Sequence, residues 1–294
     1  MILVITRVDD ILVAAKPELR REFFDAMGKH MKLKHTGDIV SERKEKYLGD
    51  WYEKIENGYQ VNLPEEYLQE VLEMMSLEAS RPVRTPASAD TRPTTNYEKT
   101  HWEEPLDAER HHIFRCVVGK LRHAVPRRPD LLFSVHRLST KLARPLEKHW
   151  AWLKRCVRYI QGTKTAYLEL QVETTEQIVL ECWTDSDFAG DEESRKSVSC
   201  AILTMNGAYL YGHSRQQSVI ATSSAEAEYY ALAGGAVQLL GAKALLEELG
   251  VPARAILHCD SSSGRAIARR EGFGRTKHID VKLLWLQDVL AQGR

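Results

Sequence analysis

The amino-acid sequence predicts a mixed α/β protein, and three features of its 294 residues lead to that prediction. Asn-Gly dipeptides at residues 57–58 and 206–207 lie between runs of β-branched and aromatic residues, a pattern typical of two-residue β-hairpins. Residues 107–161 carry apolar side chains at helical spacing. Residues 166–294 combine short strands with a long helical segment, which predicts a compact α/β domain.

The first 79 residues are predicted to form a small α+β region. Between two β-rich runs lie Arg7, Val8, Asp9 and Asp10, which indicates a hairpin with adjacent carboxylates at its tip. A solvated turn is the alternative role of these two acids. The predicted elements, in order, are strands 2–6 and 11–15, a helix at 17–31, strands 47–55 and 59–63, and a helix at 65–75.

Residues 80–106 contain four prolines among Thr, Ser and Asp residues, so we predict a loop rather than a regular element. Three helices are predicted beyond it, at 107–125, 129–143 and 146–161. Residues 110–165 carry 14 of the chain's 41 Lys and Arg residues but only two of its 41 Asp and Glu residues. This asymmetry favours a surface that contacts phosphates, and a set of solvated helix faces is the alternative.

After residue 165 the pattern changes to that of strands, which predicts a second domain at residues 166–294. Its first part is expected to be an antiparallel meander. The predicted elements are strands 166–172, 178–183, 198–205 and 208–212, a helix at 224–249, a strand at 256–259, a helix ending at 271 and a last helix at 279–291.

Four acidic residues fall where these predicted strands end or within the first turns of the helices: Asp185, Glu228, Asp260 and Asp280. Asp185 and Asp260 follow apolar strands, and sheets present functional groups at the carboxyl ends of strands. Asp185 has a plainer role as a turn residue, Asp260 as a helix cap and Asp280 as a first-turn acid. Taken together, the four predict a carboxylate cluster that binds a divalent metal ion.

Helical phase chooses between two glutamates of the long helix. Glu228 follows Ala225 by three residues and precedes Leu232 by four, so it shares their buried face. Glu226 is turned about 200° away at about 100° per residue, and with Ser223 it fits a capping box. We therefore predict Glu228 as the metal ligand.

The five cysteines form no Cys-x-x-Cys pair, which favours reduced thiols in a cytoplasmic or nuclear protein. No segment resembles a signal peptide, and no apolar run is long enough to span a bilayer. We therefore expect a protein without a membrane partner.

Several motifs of the chain resemble those of a known family. Residues 183–191 (Trp-Thr-Asp-Ser-Asp-Phe-Ala-Gly-Asp), 223–229 (Ser-Ser-Ala-Glu-Ala-Glu-Tyr) and 276–280 (Thr-Lys-His-Ile-Asp) closely resemble the ribonuclease H domain of copia-type LTR retrotransposon Pol polyproteins. Earlier motifs, in the same order as in that family, resemble the last part of its reverse transcriptase: residues 8–10, 47–49, 118–121, 128–130 and 158–163. Nearly the whole chain is covered.

The resemblance implies a fold and a division of the chain. Residues 166–294 would form a ribonuclease H-like domain, a mixed sheet flanked by helices. Residues 1–165 would be a truncated reverse transcriptase region, with a palm remnant at 1–79, a loop at 80–106 and a basic, thumb- or connection-like helical part at 107–165.

The resemblance also implies an activity. Asp185, Glu228, Asp260 and Asp280 would hold two Mg²⁺ ions, with Mn²⁺ as the alternative, and the enzyme would cleave the RNA strand of an RNA/DNA hybrid. Accessory roles fall on three further residues. His278 is a candidate for proton transfer, with helix entry as its alternative role, and Lys277 and Arg275 are candidates for phosphate contacts.

The Asp9-Asp10 pair resembles a polymerase motif but lacks the residues that usually accompany that motif. Family members place Tyr where this chain has Arg7, and they use a further aspartate far upstream. We therefore interpret the pair as vestigial and do not expect this chain to polymerise DNA alone. The remainder of a Pol polyprotein is an expected partner.

Two other functions remain open at this stage. The first is a catalytically silent, nucleic-acid-binding remnant of a retroelement. The second is a phosphohydrolase that uses Asp185 and Asp187 as nucleophile and acid, which ranks lowest because no convincing set of partner residues accompanies them.

Overall fold

The structure is a computed structural model that describes residues 1–40, 43–88, 92–93, 95–171, 177–191, 193–270 and 284–292. Within these residues the protein is mixed α/β, as predicted, with a two-stranded hairpin, two four-stranded sheets and helices that pack against them. No helix in this part of the chain is long and apolar enough to cross a membrane.

The predicted amino-terminal hairpin is confirmed. Strands β1 (Ile2–Arg7) and β2 (Asp10–Ala15) are antiparallel, and the register pairs Arg7 with Asp10. Helix α1 (Pro17–Gly28) follows, with its proline at the first helical position, where the missing amide hydrogen costs nothing.

The first four-stranded sheet contains a turn that the sequence prediction missed. We expected one strand at 47–55, but the sheet has β3 (Lys44–Tyr47) and β4 (Asp50–Ile55) joined by a two-residue turn. Leu48 and Gly49 adopt φ values of 50° and 91° in that turn. Such left-handed geometry suits glycine and is uncommon for leucine, so only Gly49 indicated a turn in the sequence.

The same sheet contains a strand that the sequence analysis assigns to the second domain. Strand β5 (Gly58–Asn62) pairs with β4 on one side and with β6 (Leu168–Gln171) on the other. The prediction that this last strand joins the meander of residues 166–212 was therefore wrong. The register sets Leu168 opposite Val61 and so matches two apolar side chains across the strands.

Four helices build the core of the first half: α2 (Glu65–Met74), α4 (Ala108–Ala124), α5 (Leu132–Ser139) and α6 (Glu147–Gly162). Their apolar faces meet in one cluster that includes the fully buried Phe114 and Ile160. The three predicted helices of residues 107–161 are confirmed, although the second begins with a 3₁₀ turn at Pro129–Leu131.

A short helix, α3 (Asn96–His101), interrupts the region that we predicted to be a loop. Thr95 and Glu98 form a reciprocal capping box: the Thr95 hydroxyl accepts from the Glu98 amide at 3.0 Å, and the Glu98 carboxylate accepts from the Thr95 amide at 3.2 Å. This Thr-x-x-Glu pattern supplies the helix with a local start signal despite the surrounding prolines.

Within the part of the chain that the structure describes, ion pairs engage seven of the 14 basic residues between positions 110 and 165: Arg110, Lys120, Arg127, Arg128, Lys141, Lys148 and Lys154. Many of the partners lie outside this segment, such as the buried Asp50 and the half-buried Asp191. Half of the segment's positive charge is therefore used within the protein, which reduces the surface that we expected to contact phosphates. Arg115, Arg122 and Arg144 are exposed.

His149 provides a test of this helical core through the pH dependence of stability. It is buried, its Nδ1 accepts a hydrogen bond from the Leu146 amide at 3.0 Å, and burial together with Lys141 and Lys148 lowers its pKa to about 4. Between pH 6.5 and about 4 the unfolded chain binds a proton at this histidine that the folded chain does not bind. We expect the stability advantage of the wild type over His149→Gln to shrink between pH 6.5 and 4.

The measurement is urea denaturation of both proteins at pH 7.5 and at pH 4.5. Substitution of the exposed His30 by Gln is the control. It should change the urea midpoint, relative to the wild type, by the same amount at both pH values. A gap between wild type and His149→Gln that stays constant over this range would contradict the prediction.

The second four-stranded sheet has the strand order β10-β7-β8-β9. Its members are β7 (Ile178–Asp187), β8 (Val198–Met205), β9 (Ala208–Gln216) and β10 (Ala253–Cys259). Strands β7, β8 and β9 form an antiparallel meander, and the predicted Asn206-Gly207 hairpin turn is confirmed. Strand β10 returns parallel to β7, which requires a crossover, and the long helix α7 (Ser224–Glu248) provides it.

Two shorter helices complete the described part of this half. Helix α8 (Ser262–Arg269) directly follows β10, and α9 (Trp285–Ala291) packs against α8 and α7 through the buried Leu286. The first residues of the predicted last helix, 279–283, lie outside the described residues. Strand β7 is longer than predicted and runs through Asp187, so Asp185 lies within a strand instead of after it.

Candidate metal centre

Two neighbouring parallel strands bring predicted acids to the same end of the second sheet. The register pairs Thr184 of β7 with Cys259 of β10, so the residues that follow them, Asp185 and Asp260, lie at the same level of the two strands. Helix α7 supplies Glu228 from its second turn. Three of the four predicted ligands therefore come from elements that meet at the carboxyl end of β10.

The donor atoms of Glu228, Cys259 and Asp260 all lie within 4.8 Å of one another. Asp185 is not a member of this group, although its charge acts on Glu228. Glu228 and Asp260 thus converge as two oxygen-bearing side chains. We predicted the two carboxylates from the sequence but missed Cys259, whose only signal was its position directly before Asp260.

Glu228 has the most perturbed carboxyl group of the site. Its side chain is 9% exposed, and burial, followed by the charges of Asp185 and Asp260, raises the pKa of Glu228 to about 7. The Ser186 amide donates a hydrogen bond to it, and the Cys259 thiol lies 3.8 Å from its Oε2. A Cβ on Gly264 of α8 would come within 2.9 Å of the Glu228 Cβ, so only glycine lets α8 pack this closely.

Glu226 was expected to face away from the buried side of α7, and that expectation was wrong. Glu226 is 1% exposed because the residues before the helix fold over it. Its Oε2 accepts hydrogen bonds from the Thr222 amide at 2.7 Å and from the Thr222 hydroxyl at 2.6 Å, and its Oε1 accepts one from the Tyr230 hydroxyl at 2.5 Å. Of the predicted capping box, the Ser223 hydroxyl accepts a hydrogen bond from the Glu226 amide at 3.2 Å, while the Glu226 carboxylate accepts from Thr222, one residue before the predicted partner.

Ser261, and not Asp260, caps the start of α8. Its hydroxyl accepts a hydrogen bond from the Gly264 amide at 3.0 Å. Asp260 itself is exposed beside Glu228. Asp185 is exposed within β7, so the turn role considered for it does not apply either.

The donor set suits a hard divalent cation. Carboxylate oxygens are the ligands that Mg²⁺ prefers. Burial, followed by the charges of Glu228 and Asp260, raises the pKa of the Cys259 thiol, so the sulfur stays protonated at neutral pH and is a poor ligand. A cation bound between Glu228 and Asp260 would offset the repulsion that raises the pKa of Glu228.

The remaining predicted site residues fall into two groups. Asp280, His278, Lys277 and Arg275 lie outside the described residues, so their roles stay predictions. Asp9 and Asp10 are exposed at the tip of the β1–β2 hairpin, a two-stranded sheet separate from the sheet that carries Asp185.

Comparison with known proteins places the chain among mobile-element proteins. No protein-family profile matches it. The retrovirus-related Pol polyprotein from transposon TNT 1-94 of Nicotiana tabacum is 29% identical over 98% of this chain and 22% of its own length. The corresponding polyprotein from transposon RE2 of Arabidopsis thaliana is 26% identical over the whole chain and 19% of its own length.

A shorter relative matches only part of the chain. The secreted RxLR effector protein 161 of Plasmopara viticola is 41% identical over 120 residues, which are 40% of this chain and 83% of that protein.

The chain is therefore a homologue of transposon-encoded, retrovirus-related Pol polyproteins. More particularly, it belongs with the Pol polyproteins of copia-type retrotransposons, as the motifs of residues 183–191 and 223–229 indicated. It spans about one fifth of the length of these Pol relatives.

Proposed function

We propose that the second half of this protein is a metal-dependent ribonuclease H that hydrolyses the RNA strand of RNA/DNA hybrids. The observation that carries the proposal is the convergence of Glu228 and Asp260, with Asp185 at the same level of the adjacent parallel strand. The antiparallel meander, crossover helix and parallel strand are the arrangement expected of a ribonuclease H-like domain. The relationship to retrotransposon Pol polyproteins supports the same reading.

We assign the following roles to the residues of the site. Glu228, Asp260 and Asp185 would hold the cations, and we retain Asp280 as the fourth ligand. Bound divalent cations would supply an activated water and would neutralise the charge that develops on the leaving oxygen. The Ser186 amide and the Cys259 thiol contact the Glu228 carboxylate and would help to orient it. Selection of RNA over DNA would depend on 2′-hydroxyl contacts and duplex shape.

The test is cleavage of a labelled RNA/DNA hybrid in the presence of Mg²⁺. We expect the wild type to cut the RNA strand and Asp185→Asn to lose at least about a hundredfold in rate, because removal of a ligand charge weakens cation binding. Asp9→Asn is the matched control, since it replaces an exposed carboxylate in the separate hairpin and should leave the rate unchanged.

Two results would count against the proposal. Equal cleavage by wild type and Asp185→Asn would show that this site is not the nuclease. Binding of the hybrid without Mg²⁺-dependent cleavage by the wild type would favour the catalytically silent remnant instead.

A further inference from the structure

We propose that a stacked aromatic pair, Trp183 and His258, is a contact platform for a nucleoside of the substrate strand, next to the candidate metal centre. This inference rests on the proposed function, because it assigns the platform to the same nucleic-acid substrate. No motif that we used to predict the site includes His258, and Trp183 entered only as the first residue of the 183–191 motif, without a role of its own.

The pair is well ordered by its own contacts. The two ring centroids are 3.8 Å apart with an interplanar angle of 7°. His258 Nε2 lies 2.9 Å from Glu181 Oε1, so the imidazole is held from one side by a carboxylate and from the other by the indole. Trp183 is nevertheless 52% exposed. An exposed indole fixed in this way presents apolar surface to solvent at little further entropic cost on binding.

The register of the sheet places this pair at a defined distance from the carboxylates. Trp183 and His258 are partners on the adjacent parallel strands β7 and β10. Each precedes one acid by two residues, Asp185 in β7 and Asp260 after β10. At about 3.3 Å per residue, the stacked pair lies roughly 7 Å before the acids. Side chains two residues apart on a strand share a face, so Trp183 and Asp185 face the same side of the sheet.

The local charge identifies the part of a nucleotide that fits there. Glu181 contacts His258, and Asp185 and Asp260 follow the two aromatic residues by two positions each, so a phosphate has no favourable place on the platform without a cation. A neutral base or sugar fits this surface, because the indole ring packs against bases and sugars of any nucleotide sequence. If the scissile phosphate of the substrate strand lies at the metal centre, the adjoining sugar or base would contact Trp183.

The experiment measures binding of a fluorescently labelled RNA/DNA hybrid by anisotropy, with Mg²⁺ present and Asp185→Asn as the background so that the hybrid stays intact. We expect Trp183→Ala to weaken binding about five- to a hundredfold, the range for loss of one aromatic contact to a nucleotide. Trp183→Phe keeps an aromatic face and should recover most of the affinity, which a purely structural defect in the alanine variant would not explain.

Tyr97 is the matched control, because it is also 52% exposed and stacks on a histidine, His101, at 4.1 Å and 18°. It lies on α3, in the first half of the chain. Tyr97→Ala should leave the affinity unchanged. Unaltered binding by a folded Trp183→Ala variant, judged by its thermal unfolding, would overturn the platform.

Cleavage assays in the wild-type background separate this proposal from the proposed function. Mg²⁺-dependent cleavage that is equal in wild type and Trp183→Ala would sustain the nuclease and reject the platform. Binding that depends on Trp183, in a protein that does not cleave, would sustain the platform and reject the nuclease.

Discussion

Replacement of Glu228 by Gln is expected to slow Mg²⁺-dependent cleavage of an RNA/DNA hybrid strongly and, at the same time, to favour the variant's stability over that of the wild type more at pH 8 than at pH 4.5. The first effect follows from the loss of one of the two converging carboxylates, and we expect a rate decrease of about a hundred- to ten-thousandfold. The second follows from the burial of this carboxylate and from the repulsion that Asp185 and Asp260 exert on it.

The sign of the stability effect can be derived from the pKa. Burial and the neighbouring acids raise the pKa of Glu228 from 4.5 to about 7 in the folded protein. Between these values the unfolded chain releases a proton that the folded chain keeps, so the stability of the wild type falls as the pH rises through this range. In EDTA, Glu228→Gln should gain on the order of 1–2 kcal/mol over the wild type at pH 8, relative to the difference at pH 4.5.

Urea denaturation at both pH values in EDTA measures this effect. Addition of Mg²⁺ at pH 8 should stabilise the wild type more than the variant, because the folded state binds the ion. Glu226→Gln is a control from the same helix. Its carboxylate accepts three hydrogen bonds, so that variant should lose stability at both pH values. A stability difference between Glu228→Gln and the wild type that stays the same at pH 4.5 and pH 8 would refute the electrostatic account.

Local signals in the sequence predicted much of the fold. Asn206-Gly207 fixed a hairpin because both residues readily adopt the turn geometry, and the helical spacing of residues 107–161 predicted three helices that the structure confirms. The start of α3 was also encoded locally, by Thr95 and Glu98, but four prolines in the surrounding region led us to predict a loop.

Long-range pairing could not be predicted in the same way. The residues of β6 specify a strand, but which sheet edge receives it depends on where α6 returns the chain. The burial of Glu226 likewise depends on the segment that precedes α7, which helical phase does not describe. For Glu228 and Asp260 the local signals sufficed, because a strand end and a helix start meet at one edge of the sheet.

The motifs of residues 128–130 and 158–163, which we matched to the reverse transcriptase region, meet in the structure and give the second large prediction. Arg128 is 3% exposed and donates hydrogen bonds to the Thr163 carbonyl at 3.1 Å and to the Thr163 hydroxyl at 2.7 Å. The same guanidinium donates to both oxygens of Asp130, at 3.0 and 2.7 Å. The arginine therefore joins the start of the 3₁₀ turn to the carboxyl end of α6.

Arg128→Ala is expected to destabilise the protein by about 2–4 kcal/mol, without a direct effect on the candidate metal centre. The substitution removes a buried, charge-assisted donor set and leaves the Thr163 carbonyl without this donor at a helix end, where a positive charge is favourable. Thr163→Val, which deletes the hydroxyl that accepts from Arg128 and donates to the Tyr159 carbonyl at 2.9 Å, should cost about 1–2 kcal/mol. Urea denaturation at neutral pH provides the measurement.

The exposed Arg115 of α4 is the matched control, and its replacement by Ala should change stability by less than about 0.5 kcal/mol. The comparison separates the two roles that a basic residue in this segment can have. If Arg128→Ala and Arg115→Ala unfold at the same urea concentration, the buried contacts of Arg128 contribute little to stability and the structural role is refuted. If only Arg128→Ala is destabilised, the Arg-Pro-Asp motif is a structural clamp, and phosphate contacts must come from exposed residues such as Arg122 and Arg144.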